Sequence, residues 1–181
     1  MGRVLIVVGS RRDGNSSHLA KLIKDGLARE RISTDIITPG NQKIYLCTGC
    51  MDCDKNGKCD FNDDMESNIE KVRSSEVIIF ITPTRWNSLS GDLKIFIDRL
   101  NPLYSTKELK DKKMIVLAVG SKVRNEYSTD GAITSLGSFI ESAEAKLIYK
   151  EAFDRCLDFT DILEQQEKIN RVIKDIITVI G

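Results

Sequence analysis

A doubly wound α/β sandwich, with one five-stranded parallel sheet and helices on both faces, is the fold class this sequence predicts. Short continuous apolar runs rich in β-branched residues recur along the chain, segments of helical period separate them, and the two alternate in regular turn. An apolar run without polar alternation is how a parallel strand covered on both faces reads. Return to a parallel neighbour requires a crossover, usually a helix.

The first run is Val4 to Val8. Leu19, Leu22, Ile23 and Leu27 then line one helical face. A weaker strand is predicted near Thr34 to Thr38, and Ile69 with Val72 marks a helix behind Asp63-Asp64-Met65-Glu66, where Asp63 and Glu66 have the spacing of a capping box. Val77 to Ile81 is the third strand, followed by a helix lined by Leu89, Leu93, Phe96, Ile97 and Leu100. Met114 to Val119 is the fourth. Ala145 to Tyr149 half alternates, which suits a sheet edge, and Ile162, Ile169, Val172, Ile173, Ile176 and Ile180 line the last helix.

At 181 residues, with no internal repeat, low-complexity tract or linker, the chain reads as a single domain over 1–181. Hydrophobic residues make up 41% and charged residues 30%, so a packed core is expected rather than disorder. Lys plus Arg and Asp plus Glu balance at 27 each, which removes the electrostatic case for nucleic acid or an anionic membrane as partner. The N-terminus shows no signal-peptide pattern and no stretch approaches the roughly 18 apolar residues of a membrane span, so a cytoplasmic protein is expected. The cysteines number five, and four lie between Cys47 and Cys59, too close together for a secreted disulfide framework. They sit in the longest non-periodic stretch, a cysteine-rich insertion at about 39–62, and long loops in compact domains are more often functional than idle.

Gly9-Ser10-Arg11-Arg12-Asp13-Gly14-Asn15-Ser16-Ser17 joins the first strand to the first helix. Ligands of open parallel sheets gather at the carboxyl ends of the strands, where a helix N-terminus offers free N–H groups to an anion. Ser10, Asn15, Ser16 and Ser17 supply further donors and Arg12 supplies charge. The same composition also suits a polar turn with ordinary Ser/Asn capping. The loop is neither GxGxxG nor a Walker loop, so a dinucleotide such as FAD is not indicated. With one histidine, His18, and no Gly-x-Ser-x-Gly elbow, a Ser-His-Asp hydrolase is excluded as the working reading, and the chemistry is expected from a cofactor with no catalytic side chain. His18 reads as a solvent-facing or capping residue and Cys156 as a structural thiol. Cys47-x2-Cys50-x2-Cys53-x5-Cys59 has the tight spacing of iron-sulfur ligands, while tetrahedral zinc and free or reversibly oxidised thiols stay open as alternatives.

Three stretches in this order resemble the NADPH-dependent FMN reductase and iron-sulfur flavoprotein family. They are the Gly9 to Ser17 loop, the cysteine segment followed by Asp63-Asp64-Met65, and Thr82-Pro83-Thr84-Arg85-Trp86-Asn87-Ser88 running through Gly91-Asp92-Leu93-Lys94 to Asp98-Arg99. The resemblance is close over residues 4 to about 100 and only in pattern beyond. It implies a flavodoxin-like fold that binds FMN, with its phosphate on Ser10, Arg12, Asn15, Ser16 and Ser17. The ring would lie against Thr82, Pro83, Thr84, Arg85, Trp86 and Asn87 and near Gly120 and Ser121. Arg85 stands where the family commonly has Tyr. Lys122-Val123-Arg124 departs from the more glycine-rich versions of the Gly120-Ser121 loop; Lys122 and Arg124 are candidates to stabilise negative charge near the flavin, although exposed loop charge is the commoner meaning, and Lys94 with Asp98 has the spacing of a helix-surface pair.

The resemblance also implies that Cys47, Cys50, Cys53 and Cys59 bind a 4Fe-4S cluster, with Gly49 and Gly57 turning the chain around it. It implies an electron-transfer oxidoreductase fed by ferredoxin or NAD(P)H and passing electrons to a small-molecule acceptor, as a dimer or tetramer. An NAD(P)H-dependent FMN or quinone reductase without a cluster is the alternative. A non-catalytic flavodoxin-like binding or regulatory protein is the second alternative.

Overall fold

The computed structural model describes residues 2–122 and 129–181. In chain order the elements are β1 (Val4–Val8), α1 (Asn15–Arg29), β2 (Thr34–Ile37), α2 (Asp52–Asn56), α3 (Met65–Ser74), β3 (Val77–Pro83), α4 (Gly91–Asp98), α5 (Asn101–Ser105), β4 (Lys113–Val119), α6 (Asp130–Ser142), β5 (Lys146–Phe153) and α7 (Gln166–Ile180). Single 3-10 turns lie at Pro39–Asn41 and Asp161–Glu164.

The five strands form one parallel sheet in the order β2-β1-β3-β4-β5. This is the flavodoxin-like order, with the switch in winding between β1 and β3. Each apolar run of the sequence becomes a strand: every residue of β1 and β3 is buried, as unbroken apolar runs require. The half-alternating run becomes β5, longer than expected and at the sheet edge.

Side chains alternate between two cores. Leu5, Val7, Ile78, Phe80, Met114 and Val116 face α3 to α6, while Val4, Ile6, Val8, Ile79, Ile81, Ile115 and Leu117 face α1 and α7. Burying each such side chain contributes about 1.5–3 kcal/mol. No helix among the described residues is long and apolar enough to cross a membrane.

Two local expectations need correction. Asp63 and Glu66 do not form a capping box: Asp63 Oδ1 accepts the Met65 N–H, but its other oxygen is taken by the Tyr45 N–H and by Arg99, and Asp64 occupies the N-cap. Within the insertion at 39–62, Cys53 stands on the one-turn helix α2, which Asn101 and Ser105 of α5 hold by hydrogen bonds to Asp54.

Helix α6 buries Ala132, Ile133, Leu136 and Ile140 on one face, and Phe139 meets Phe80 edge-on with ring centroids 6.1 Å apart. Its first turn presses on the loop after β3, so that a Cβ on Gly131 would lie 1.7 Å from the Asn87 carbonyl oxygen. Gly137, on the same helix, has nothing within 4 Å of its Cβ position. Gly131→Ala is therefore expected to lower stability by about 1–3 kcal/mol through forced displacement. Gly137→Ala should raise it by roughly 0.5–1 kcal/mol, as alanine does over glycine inside a helix. Urea midpoints of the two variants check the opposite signs.

Candidate functional site

The carboxyl ends of β1, β3 and β4 open into one cleft of about 210 Å³. The first loop reaches it because position 9 has no side chain: a Cβ on Gly9 would lie 2.6 Å from Ser90 Oγ and 3.0 Å from Leu93 Cβ. Ser90 is fixed there as the N-cap of α4, its Oγ accepting from the Leu93 N–H and its own N–H donating to Thr82 Oγ1. Arg11 completes the junction with a two-point ion pair to Asp92.

Of the residues singled out in the sequence, Ser10, Arg12, Asn15, Ser16, Pro83, Thr84, Arg85 and Ser121 line the cleft. Ser17 does not: its hydroxyl accepts from the Gly14 N–H and donates toward Asp13, closing the helix start. Thr82 is buried behind the wall, holding Ser90. Gly120 ties strands instead, its N–H donating to the Phe153 carbonyl and its carbonyl accepting from Cys156. Lys122 is not among the lining residues, and Val123 and Arg124 lie outside the described residues.

The segment after β5 was not foreseen as a wall. Cys156, Leu157 and Phe159 line the cleft, with the Arg12 guanidinium 4.6 Å from the Phe159 ring centroid. Asn15 brings this segment in, donating to the Asp158 carbonyl at 2.6 Å and accepting from the Ile162 N–H at 2.9 Å. Burial, with Asp161 and Asp154 nearby, pushes the Cys156 thiol up to about 12, so it stands in the cleft as a neutral, unreactive group.

With Asn15 and Ser17 engaged elsewhere, the backbone carries the anion-binding capacity. Among the described residues nothing accepts from the N–H groups of Ser10 to Asp13 or of Asn15 to Ser17, and the first turn of α1 holds no carboxylate. Unpaired N–H groups curling around a helix start form a nest for an anion.

The second loop is a two-residue turn closed by reciprocal backbone bonds between Arg85 and Ser88, both 2.9 Å. Its centre, Trp86 and Asn87, lies at φ 49° and 56°, the signature of a type I′ turn. A bulky residue seldom adopts that backbone. Trp86 is 102% exposed and Asn87 exposed, neither lines the cleft, and Trp86 packs on nothing among the described residues.

A second, smaller cavity of about 40 Å³ is lined by all four clustered cysteines, together with Phe61, Asp98, Arg99, Asn101 and Pro102. Left-handed backbone at Gly49, Met51 and Gly57 wraps the chain around it. Cys47 and Cys50 are exposed, Cys53 and Cys59 half-buried, and among the described residues no three Cys, His, Asp or Glu side chains converge as ligands of a single metal ion do. Cys53 Sγ accepts a hydrogen bond from Asn101 Nδ2 at 2.9 Å.

Beneath the cavity Arg99 and Asp63 pair through two hydrogen bonds of 2.7 and 3.1 Å, their side chains 1% and 0% exposed. Arg99 Nη1 also donates to the Tyr45 carbonyl. Burial pushes the Asp63 carboxyl up, but Arg99 and the N–H groups of Tyr45 and Met65 outweigh it and hold the carboxyl below its ordinary value. Lys94 and Asp98 form the expected surface pair, and the His18 ring lies 3.7 Å from Asp13.

Residues 2–141 match the family described as NADPH-dependent FMN reductase. An iron-sulfur flavoprotein of Methanocaldococcus jannaschii is 31% identical over 120 residues, 66% of this chain and 62% of that protein. One from Archaeoglobus fulgidus is 30% identical over 62% of this chain and 51% of its own length. The chain thus matches only half to three-fifths of these relatives' length. Among solved structures, a flavone reductase superposes with a TM-score of 0.74 at 19% identity, over 96% of this chain and 60% of that one.

Asp63→Asn should cost about 3–5 kcal/mol, because it leaves the Arg99 cation buried without its counter-charge. The depressed Asp63 carboxyl contributes fully above its unfolded value near 4, and that contribution is lost as pH falls through the lower folded value. The variant should therefore lose that part of the acid dependence, which urea midpoints across pH 2–7 would reveal. Asn15→Ala, in contrast, should leave the core intact and speed amide exchange over 157–162, where its two bonds end. Unchanged exchange there would show that Asn15 does not hold the segment.

Proposed function

The chain belongs to the NADPH-dependent FMN reductase family, and from that premise we propose that it is an FMN-dependent electron-transfer oxidoreductase whose clustered cysteines hold a 4Fe-4S cluster. The observation that carries the flavin reading is the set of unaccepted N–H groups of Ser10 to Asp13 and of Asn15 to Ser17, in the loop that borders the cleft where β1, β3 and β4 end. It suits one phosphate, with Arg12 and the Ser16 hydroxyl beside it. No dinucleotide fingerprint accompanies it, which favours FMN over FAD. Pro83, Thr84, Arg85 and Ser121, which line the same cleft, are the residues for the ring.

FMN supplies hydride and single-electron chemistry when bound. The chain's task is then to bind it, exclude water and admit a donor and an acceptor. Cys156 contributes no nucleophile, and no side chain is required as acid or base.

The cysteine cavity fits a cluster by its donor set. Four thiols border one small space, a side-chain amide already donates to one of them, and an arginine lies at its base. Cubane ligands bind separate irons, so convergence on a single point is not what the cluster asks of them. A low-potential one-electron donor such as ferredoxin then suits the cluster, with a small-molecule acceptor at the flavin. The exposure of Cys47 and Cys50 favours the second reading, an NAD(P)H-linked FMN or quinone reductase with free thiols. Both readings suit a reducing, cytoplasmic setting. The exposure of Trp86, Leu157 and Phe159 favours a homo-oligomer in which another copy covers these side chains.

Protein purified without oxygen should carry one FMN per chain with about four iron and four sulfide. Each single Cys→Ala change at 47, 50, 53 or 59 should lose the iron and sulfide and keep the flavin, whereas Cys156→Ala should keep both. FAD in the extract, or no affinity for FMN, would overturn the flavin reading. Stoichiometric zinc, or no iron and sulfide after reconstitution, would overturn the cluster and leave the NAD(P)H-linked reductase.

A further inference from the structure

Arg99 has one donor that the fold does not use. Its two Nη groups go to Asp63 and the Tyr45 carbonyl, while Nε is buried with no hydrogen-bond partner among the described residues. A buried donor left in that state is destabilising. The guanidinium borders the same small cavity as the Cys59 thiol.

Two residues further along the chain, Asn101 at the start of α5 directs its amide at a second thiol, Nδ2 to Cys53 Sγ at 2.9 Å, and Asp54 Oδ1 accepts from the same nitrogen. The junction between α4 and α5 thus gives one N–H donor to Cys53 and brings an unused one to the cavity that Cys59 borders. A neutral thiol is a weak acceptor. A thiolate carries charge and makes a charge-assisted bond about twice as strong as a neutral one. The donors are therefore better matched to metal-bound thiolates than to free thiols.

We propose that Arg99 and Asn101 are positioning residues that donate N–H groups to the Cys59 and Cys53 sulfurs and thereby raise the reduction potential of the cluster these cysteines hold. The proposal rests on the cluster reading above. Reduction adds one electron from a low-potential donor, with no bond formed or broken and no proton moved. Negative charge on the sulfurs grows in that step, so N–H donors stabilise the reduced form more than the oxidised one.

The test is an anaerobic redox titration of the iron-sulfur holoprotein, followed by electron paramagnetic resonance, in the parent, Asn101→Ala, Asn101→Gln and Arg99→Lys. Arg99→Lys keeps a cation against Asp63 and removes Nε. Asn101→Ala and Arg99→Lys should each lower the reduced-to-oxidised ratio of the cluster about tenfold at a fixed potential, which is 59 mV for a one-electron couple. Asn101→Gln, which keeps an amide donor, should recover part of the loss, and the flavin potential should not move. Unchanged cluster potentials in variants with full iron and sulfide would overturn the proposal and leave the cluster reading standing. Asn101 lies outside the core, so its two variants decide the matter if Arg99→Lys does not fold. Parent protein without iron and sulfide would instead overturn the cluster reading, and this proposal with it.

Discussion

The buried pair of Arg99 and Asp63 is the constraint from which the arrangement of the cysteine segment follows. Taking a guanidinium and a carboxylate out of water costs several kcal/mol per ion, and only good geometry with further hydrogen bonds offsets it. Here Asp63 accepts from Arg99, Tyr45 and Met65, and Arg99 donates to Asp63 and the Tyr45 carbonyl. Three stretches distant in sequence meet at that point: the start of the insertion, the start of α3 and the end of α4. An apolar contact of the same volume would tolerate sliding, whereas a two-point ion pair with fixed partners has one register. The insertion is exposed along Tyr45, Leu46 and Met51, so packing alone offers little to position its thiols.

Helix α4 links the two cavities. Its first turn meets the loop after β1 through the Gly9–Ser90 approach and the Arg11–Asp92 pair, while Asp98 and the following Arg99 border the cysteines. Eight helical residues span about 12 Å, which sets the scale of the separation within one chain. A hydrogen-bonded helix is stiff along its axis, so the end that holds Arg99 keeps a fixed position relative to the end that holds Ser90.

Local pattern carried the fold because the core is periodic. Unbroken apolar runs could only be covered strands, and the α1, α4 and α7 faces repeat with helical period. Helix α6 was hidden by Gly131 and Gly137 and by the small polar residues between its apolar positions, although Ala132, Ile133, Leu136 and Ile140 carry a weak helical spacing. The misread features were non-local. Asp63 has capping-box spacing to Glu66, but its main partner is 36 positions away, a relation that no window of sequence contains. Leu157 and Phe159 look like ordinary surface residues until the Asn15 bonds to Asp158 and Ile162 draw their segment to the cleft.

In the first loop, composition pointed to polar side chains, whereas the structure leaves backbone groups open. Asn15 and Ser17 were singled out as donors of polar side chains, and both spend those side chains within the protein, one on the segment after β5 and the other on the helix cap. What they leave open is their main chain. Engaging the side chains fixes the loop while its main-chain N–H groups stay unaccepted, so the polar residues shape the loop rather than supply its open donors. The loop depends equally on Gly9, whose missing side chain lets it lie against Ser90 at the point where β1 and β3 part.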